Sequence, residues 1–130
     1  MAVQLDALVA SMPFSAGLGI EITSATPEEV RGRVAWTAAG CTTGGILHGG
    51  LLMSLADSLG AVCAFLNLPE GAGTSTVESK TNFFRAVRDG HVEAVTRPLH
   101  VGRRFIVVQT DLVDAAGKRV AQVTQTQAVL

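Results

Sequence analysis

Charge is scarce in this chain and nearly balanced in sign. Ten Lys and Arg stand against eleven Asp and Glu in 130 residues, a formal net charge of −1. With no basic excess, an electrostatic footprint for nucleic acid is missing. Cysteine is equally sparse: Cys41 and Cys63 are not spaced as a metal knuckle, and no metal or other cofactor is expected. Cys63 falls at the edge of an apolar helix face, where a free thiol packs as a small hydrophobe. No uninterrupted apolar run reaches the ~18 residues of a membrane span, because Ser54, Asp57 and Ser58 break the longest one. The first residues, Met-Ala-Val-Gln-Leu-Asp, lack the positive start and cleavage site of a signal peptide, so a reduced, cytoplasmic protein is expected. Gly44-Gly45 and Gly49-Gly50 match neither phosphate-loop nor dinucleotide patterns, and no Gly-x-Ser-x-Gly elbow occurs. With no linker-like stretch, residues 1–130 read as a single domain.

What the chain does have is hydrophobic residues, 48% of the total, enough for a substantial core. They concentrate between Gly49 and Leu66, a segment whose one charge is Asp57. At 100° per residue, Leu51, Leu52, Leu55, Leu59, Val62 and Leu66 share a stripe about 100° wide, the width of a core-facing helix face. Gly49, Met53, Asp57, Gly60 and Ala64 fall on the other side. Asp is a poor helix-interior residue, and a buried lone carboxylate is costly. Asp57 is therefore either a solvated charge or a group at an interface. Its neighbours Met53, Gly60, Ala61 and Ala64 favour the interface, since small residues admit a close partner backbone, and a carboxylate there is a candidate for chemistry.

Around this helix the pattern turns to strands. Residues 4–11 read as a short amphipathic helix stopped by Pro13, and Phe14 to Leu18 as a turn. Ile20–Ser24 and Val30–Trp36 alternate as a hairpin, with Val30, Val34 and Trp36 on one face and Arg31 and Arg33 on the other. Beyond the loop Pro69–Gly73, strands are predicted over Thr74–Arg85, His91–Val101, Arg104–Val113 and Arg119–Val129. Pro98 within one of them marks an edge or a bulge. The result is an α+β domain: a short N-terminal helix and one long central helix wrapped by a curved antiparallel sheet of about six strands.

If the bulky stripe enters the sheet, the small stripe needs another cover, and a second copy is the economical one. A two-fold axis near Met53 sets Gly49 of one chain opposite Asp57 of the other. Within one helix these residues lie ~12 Å apart at ~1.5 Å rise per residue. They cannot meet at one reacting carbonyl, where donor and base must lie within ~3 Å. An antiparallel partner helix removes that difficulty.

The run His48-Gly49-Gly50 followed by Leu55-Ala56-Asp57 resembles the signature of hotdog-fold acyl-CoA thioesterases of the phenylacetate-degradation type. Thr76 to Arg85, His100 to Arg104 and Gly117 to Gln127 also sit where that family has its later strands, so the resemblance runs from about Phe14 onward. It implies an acyl-CoA thioester hydrolase acting on small or medium acyl groups, aromatic ones included, as a homodimer or dimer of dimers. In that scheme the Gly49 N–H polarises the thioester carbonyl, aided by the helix dipole. Asp57 of the partner chain is general base or nucleophile. His48 either orients the loop and the thioester or bonds to backbone structurally, and Gly50 completes the turn.

The resemblance breaks at Thr42, where the family usually carries Asn. Thr42 or Thr43 offers a single hydroxyl in place of an amide. The Ser or Thr that the family often sets near the carboxylate on a later strand aligns at about Arg85. Arg85, Arg88, Arg103 and Arg104 are the candidates for the CoA phosphates, Arg103-Arg104 beside Gly102 foremost, since Arg pairs with phosphate in a planar, bidentate way. Two other readings stay open on the sequence: a non-catalytic acyl-CoA binding module of the same fold, and a hydratase of the same superfamily, which lacks its expected Asp and His pair here. The acyl group is open too, for Trp36, Met53, Phe65, Phe83 and Phe84 suit either an aromatic pocket or a core.

Overall fold

The computed structural model describes residues 4–130; the first three residues of the stretch read above for a leader lie outside it. Two short helices, α1 (Leu5–Ala10) and α2 (Pro13–Gly17), precede a hairpin of β1 (Glu21–Ala25) and β2 (Val30–Ala35). After a 3₁₀ turn at Ala38–Gly40 come the long helix α3 (Gly49–Leu66) and four strands, β3 (Thr74–Phe83), β4 (His91–Val101), β5 (Phe105–Asp114) and β6 (Arg119–Val129). The second short helix corrects the expected turn over Phe14–Leu18. Pro13 occupies its first turn, where a missing N–H and a fixed φ favour helix initiation over a stop. The buried Ser15 hydroxyl then meets that of Ser58 at 2.7 Å, tying α2 to α3.

All six strands pair antiparallel in one sheet of order β1-β2-β4-β5-β6-β3. Alternation gives β2, β4, β5 and β6 a buried face, and the sheet curls around α3, which touches every strand; β3, at the sheet's edge, has no buried row. In β2, Val30, Gly32 and Val34 point inward while Arg31 and Arg33 point out. Pro98 lies on β4 beyond the stretch His91–Thr96 that pairs with β2, beside the register shift between Pro98 and His100, so it sits both at a local edge and at a bulge. At the centre of the core Leu55 and Leu59 are fully buried, each contributing about 1.5–3 kcal/mol by removal from water.

Two expectations about α3 need correcting. The helix has 18 residues with a mean hydropathy of 1.6, so by length and composition alone it is long and apolar enough to cross a membrane despite its serines and Asp57. More than half of it is covered by the rest of the chain. Secondly, Gly60 and Ala64 do not belong to the outward flank. Both are buried, while Met53, Asp57 and Phe65 are exposed. The curled sheet covers a wider arc than the leucine stripe alone, and the smallest residues lie where it approaches most closely.

Candidate active site

The site starts in the loop that delivers the chain to α3. Gly44 and Gly45 adopt φ of +84° and +74°, a left-handed turn that glycine enters at little cost. The turn lets the Thr42 N–H reach the Ile46 carbonyl at 2.8 Å. The Trp36 indole N–H donates to the Gly45 carbonyl at 3.0 Å, and the Leu47 N–H donates to the Val87 carbonyl at 2.9 Å. Thus anchored, the loop places His48 as the N-cap of α3, with its Nδ1 accepting from the Gly50 N–H at 2.8 Å. That bond assigns the lone pair to Nδ1 and, in the neutral ring, the proton to Nε2. The His48 N–H donates in turn to the Gly40 carbonyl at 2.9 Å. His48 therefore makes the backbone bonds that set the loop's angle to the helix.

One donor is left over. With the Gly50 N–H taken by His48 and the Leu51 and Leu52 N–H groups by the His48 carbonyl, the Gly49 N–H has no acceptor among the described residues. It opens the positive end of the helix. The Phe83 ring stands over it, so that a Cβ at position 49 would sit 3.0 Å from the ring's Cζ. Glycine keeps this crowded position open beneath the ring, where a Cβ would press on Phe83.

Asp57 is exposed on the free flank of α3, two turns further on. Its Oδ1 accepts from Gln125 Nε2 at 2.5 Å and from Thr76 Oγ1 at 3.3 Å. Thr76 is the β3 hydroxyl beside the carboxylate, which corrects the alignment that set this position near Arg85. Behind it, Gln127 Nε2 donates to Thr76 Oγ1 at 2.7 Å, and the Thr74 hydroxyl lies 3.0 Å from Gln127 Oε1. Thr76, Gln125 and Gln127 were missed by sequence reasoning. The signal for the two glutamines was phase: Ala121, Val123, Gln125 and Gln127 form the buried row of β6, so polar side chains occupy two positions where alternation calls for apolar ones.

The other predicted residues divide. Thr42, Gly49 and Arg85 come together with Phe83 and Phe84 around a depression of about 350 Å³ at the start of α3. Gly50 and Asp57 share an adjoining hollow of about 300 Å³ with Met53, Ser54 and Ser79. Thr43 is exposed beside Thr42 and lines neither. Arg103 and Arg104 lie in the β4–β5 turn, where the Arg104 carbonyl accepts from the Val129 N–H, and Val129 pairs with Thr74. That is the far end of β3 from Phe83, ~30 Å away at ~3.3 Å per residue. Within one chain, Arg85 and the Arg103-Arg104 pair therefore cannot hold the same phosphate.

Of the aromatic candidates, Phe65, Phe83 and Phe84 are each at least half exposed and Met53 is exposed. They are surface residues in the single chain, and Trp36 is half-buried over the loop. Cys63 is buried, and burial pushes its thiol up to about 11, which disqualifies it as a nucleophile near neutral pH. Among the described residues no three His, Cys, Asp or Glu gather as a metal site.

One long helix wrapped by a six-stranded antiparallel sheet, entered through a His-Gly-Gly cap, is the hotdog architecture. The family model of the thioesterase superfamily matches residues 44–121, and the chain belongs to that superfamily. It is 35% identical over 86 residues to the 1,4-dihydroxy-2-naphthoyl-CoA hydrolase of Escherichia coli, and 33% identical over 86 residues to the proofreading thioesterase EntH of Cronobacter sakazakii. Each match covers 66% of this chain and 63% of the relative's own length. The crystal structure of a mutant thioesterase PA1618 from Pseudomonas aeruginosa superposes with a TM-score of 0.93 at 28% identity, covering 100% of this chain and 96% of that one.

Proposed function

We propose that the chain hydrolyses acyl-CoA thioesters of small to medium, including aromatic, acyl groups, as a homodimer in which each site joins Gly49 of one protomer to Asp57 of the other. The closer kinship to the phenylacetate-degradation type belongs to the same proposal. The observation that carries it is a division of labour along one helix: at its start an N–H, and in its middle a carboxylate with one oxygen held, the N–H and the other oxygen having no hydrogen-bond partner among the described residues.

In this scheme the thioester oxygen sits on the Gly49 N–H. Water adds to the carbonyl carbon as Asp57 takes its proton, and the tetrahedral oxyanion is stabilised by the amide and the helix dipole. Collapse breaks the C–S bond, and the Asp57 proton passes to the leaving sulfur, giving the free acid and the CoA thiol. If Asp57 attacks directly, an acyl–Asp anhydride forms first and water then opens it. Label found on the Asp57 carboxyl after a single turnover in ¹⁸O-water identifies the anhydride route, with water attacking the Asp57 carbonyl.

A second copy is supported by what the single chain leaves uncovered. Met53, Asp57 and Phe65 are bare on α3, and β3 is an edge strand paired on one side, with Val77 exposed. A two-fold contact along this edge covers both, and four such chains make a dimer of dimers. Room for the acyl group is supported by an apolar groove of about 520 Å³ lined by Leu8, Met12, Ala61, Val62, Phe65 and Thr74, beginning one helical turn beyond Asp57. That volume suits a small ligand. For the CoA phosphates, Arg85 stands at the Gly49 depression, while Arg103 and Arg104 reach the same ligand only from the partner.

The deciding experiment is thiol release across short, long and aromatic acyl-CoAs, with Asp57→Asn as control. Hydrolysis of at least one ester that is lost in the variant is the expected result. Tight binding of the ester without thiol release would assign the chain to acyl-CoA binding instead.

A further inference from the structure

We propose that Gln125 is a positioning residue for Asp57, selecting which of the two carboxylate oxygens meets the substrate; the inference rests on the hydrolase reading above. Gln125 is 1% exposed on β6, and its Nε2 lies 2.5 Å from Asp57 Oδ1 and 3.2 Å from Thr76 Oγ1. Its carbonyl Oε1 is buried without a hydrogen-bond partner. That oxygen fills the space above Gly60, where a Cβ would come within 1.8 Å of it. Two unfavourable features thus coexist, an orphaned buried carbonyl and a glycine in a helix interior. A methionine of similar length would fill the same space without the orphaned carbonyl, and would lose only the N–H donation to Asp57 and Thr76. What the amide adds over methionine is one donor aimed at a carboxylate.

The direction of the protons is fixed by counting. Thr76 Oγ1 receives N–H bonds from Gln127 at 2.7 Å and from Gln125 at 3.2 Å. Its single proton is then left for Asp57 Oδ1, 3.3 Å away. Oδ1 is held by two donors, and both are neutral. Together the amide and the hydroxyl fix the plane of the carboxylate. Oδ2, which accepts no hydrogen bond among the described residues, is the oxygen turned to chemistry.

The test is Gln125→Met, compared with wild type by steady-state kinetics on the best acyl-CoA. The expected result is a kcat about a hundredfold lower, the scale of a misplaced catalytic group, with KM and the unfolding midpoint retained. In an Asp57→Asn background, Gln125→Met should cost nothing further. Gly60→Ala, which evicts the amide by a different route, should lower kcat alike. A folded Gln125→Met enzyme with kcat within twofold of wild type, or losses that multiply in the double variant, would overturn the proposal. The Gln125 side-chain amide protons supply a readout without turnover: in NMR spectra their shift should move on Asp57→Asn, and an unchanged shift also overturns it. Failure of the hydrolase reading looks different, with wild type releasing no thiol from any ester or Asp57→Asn losing nothing.

Discussion

The two sides of α3 are made of similar residues but meet different surroundings. Toward the sheet, Leu55, Ala56, Leu59, Cys63 and Ala64 have no exposed surface. Away from it, Met53, Asp57 and Phe65 stand open. Apolar packing fixes the first side without any partner outside the chain. On the second side two side chains reach across to Asp57, Gln125 from β6 and Thr76 from β3. The difference teaches that the covered side sets where the helix lies, whereas the open side is left for chemistry and for another surface. Gly60 sits at the seam, buried by the very glutamine that reaches out to the carboxylate.

Substitutions on either side should separate these roles. The largest expected effect is on the open side: Asp57→Asn lowers thioester turnover about a thousandfold, the scale of a lost general base, while circular dichroism and the unfolding midpoint stay as in wild type. On the covered side the converse holds. Leu55→Ala should cost about 3 kcal/mol of stability through lost burial and a cavity, read by urea unfolding, with turnover per folded molecule retained. At the seam both readouts should move, since Gly60→Ala forces Gln125 to shift; about 1–3 kcal/mol of overpacking cost is expected along with the loss of kcat. Smaller still is the effect of pH on Cys63. Its folded thiol titrates at about 11 against an ordinary 9.0 because of burial. The folded state thus holds its proton longer, and that part of stability, full below pH 9, is lost as pH rises through 11. Cys63→Ala should flatten this alkaline limb in denaturation curves, and a limb that persists unchanged would assign it to another group.

Much of this contrast was legible from local pattern. The leucine spacing marked α3 from Gly49 to Leu66, and alternation marked β6 from Arg119 to Val129, both as found. Periodicity reports which way a side chain points along its own element, and there it succeeded. It carries no information on how closely a distant element approaches. Gly60 and Ala64 were therefore assigned to an outside contact although the sheet covers them. Likewise Thr76 and Gln125 reach Asp57 only because α3, β3 and β6 meet in one register, with Thr76 opposite Gln127. The hydroxyl placed near Arg85 was displaced along β3 for the same reason: strand spacing alone does not say which residue lies level with the helix's carboxylate. The helix that starts at Pro13 was missed because proline both ends a helix and begins one: α1 stops at Ala10 ahead of it and α2 starts on it.

The clasp between the Trp36 indole and the Gly45 carbonyl has a practical sequel. Trp36 is the chain's one tryptophan, and tyrosine is absent, so indole fluorescence arises from a single ring resting on the loop that carries Thr42. Any molecule that settles against that loop will alter the solvent around the ring. The protein thus contains its own optical gauge of occupancy, readable without a label and before any bond is cut.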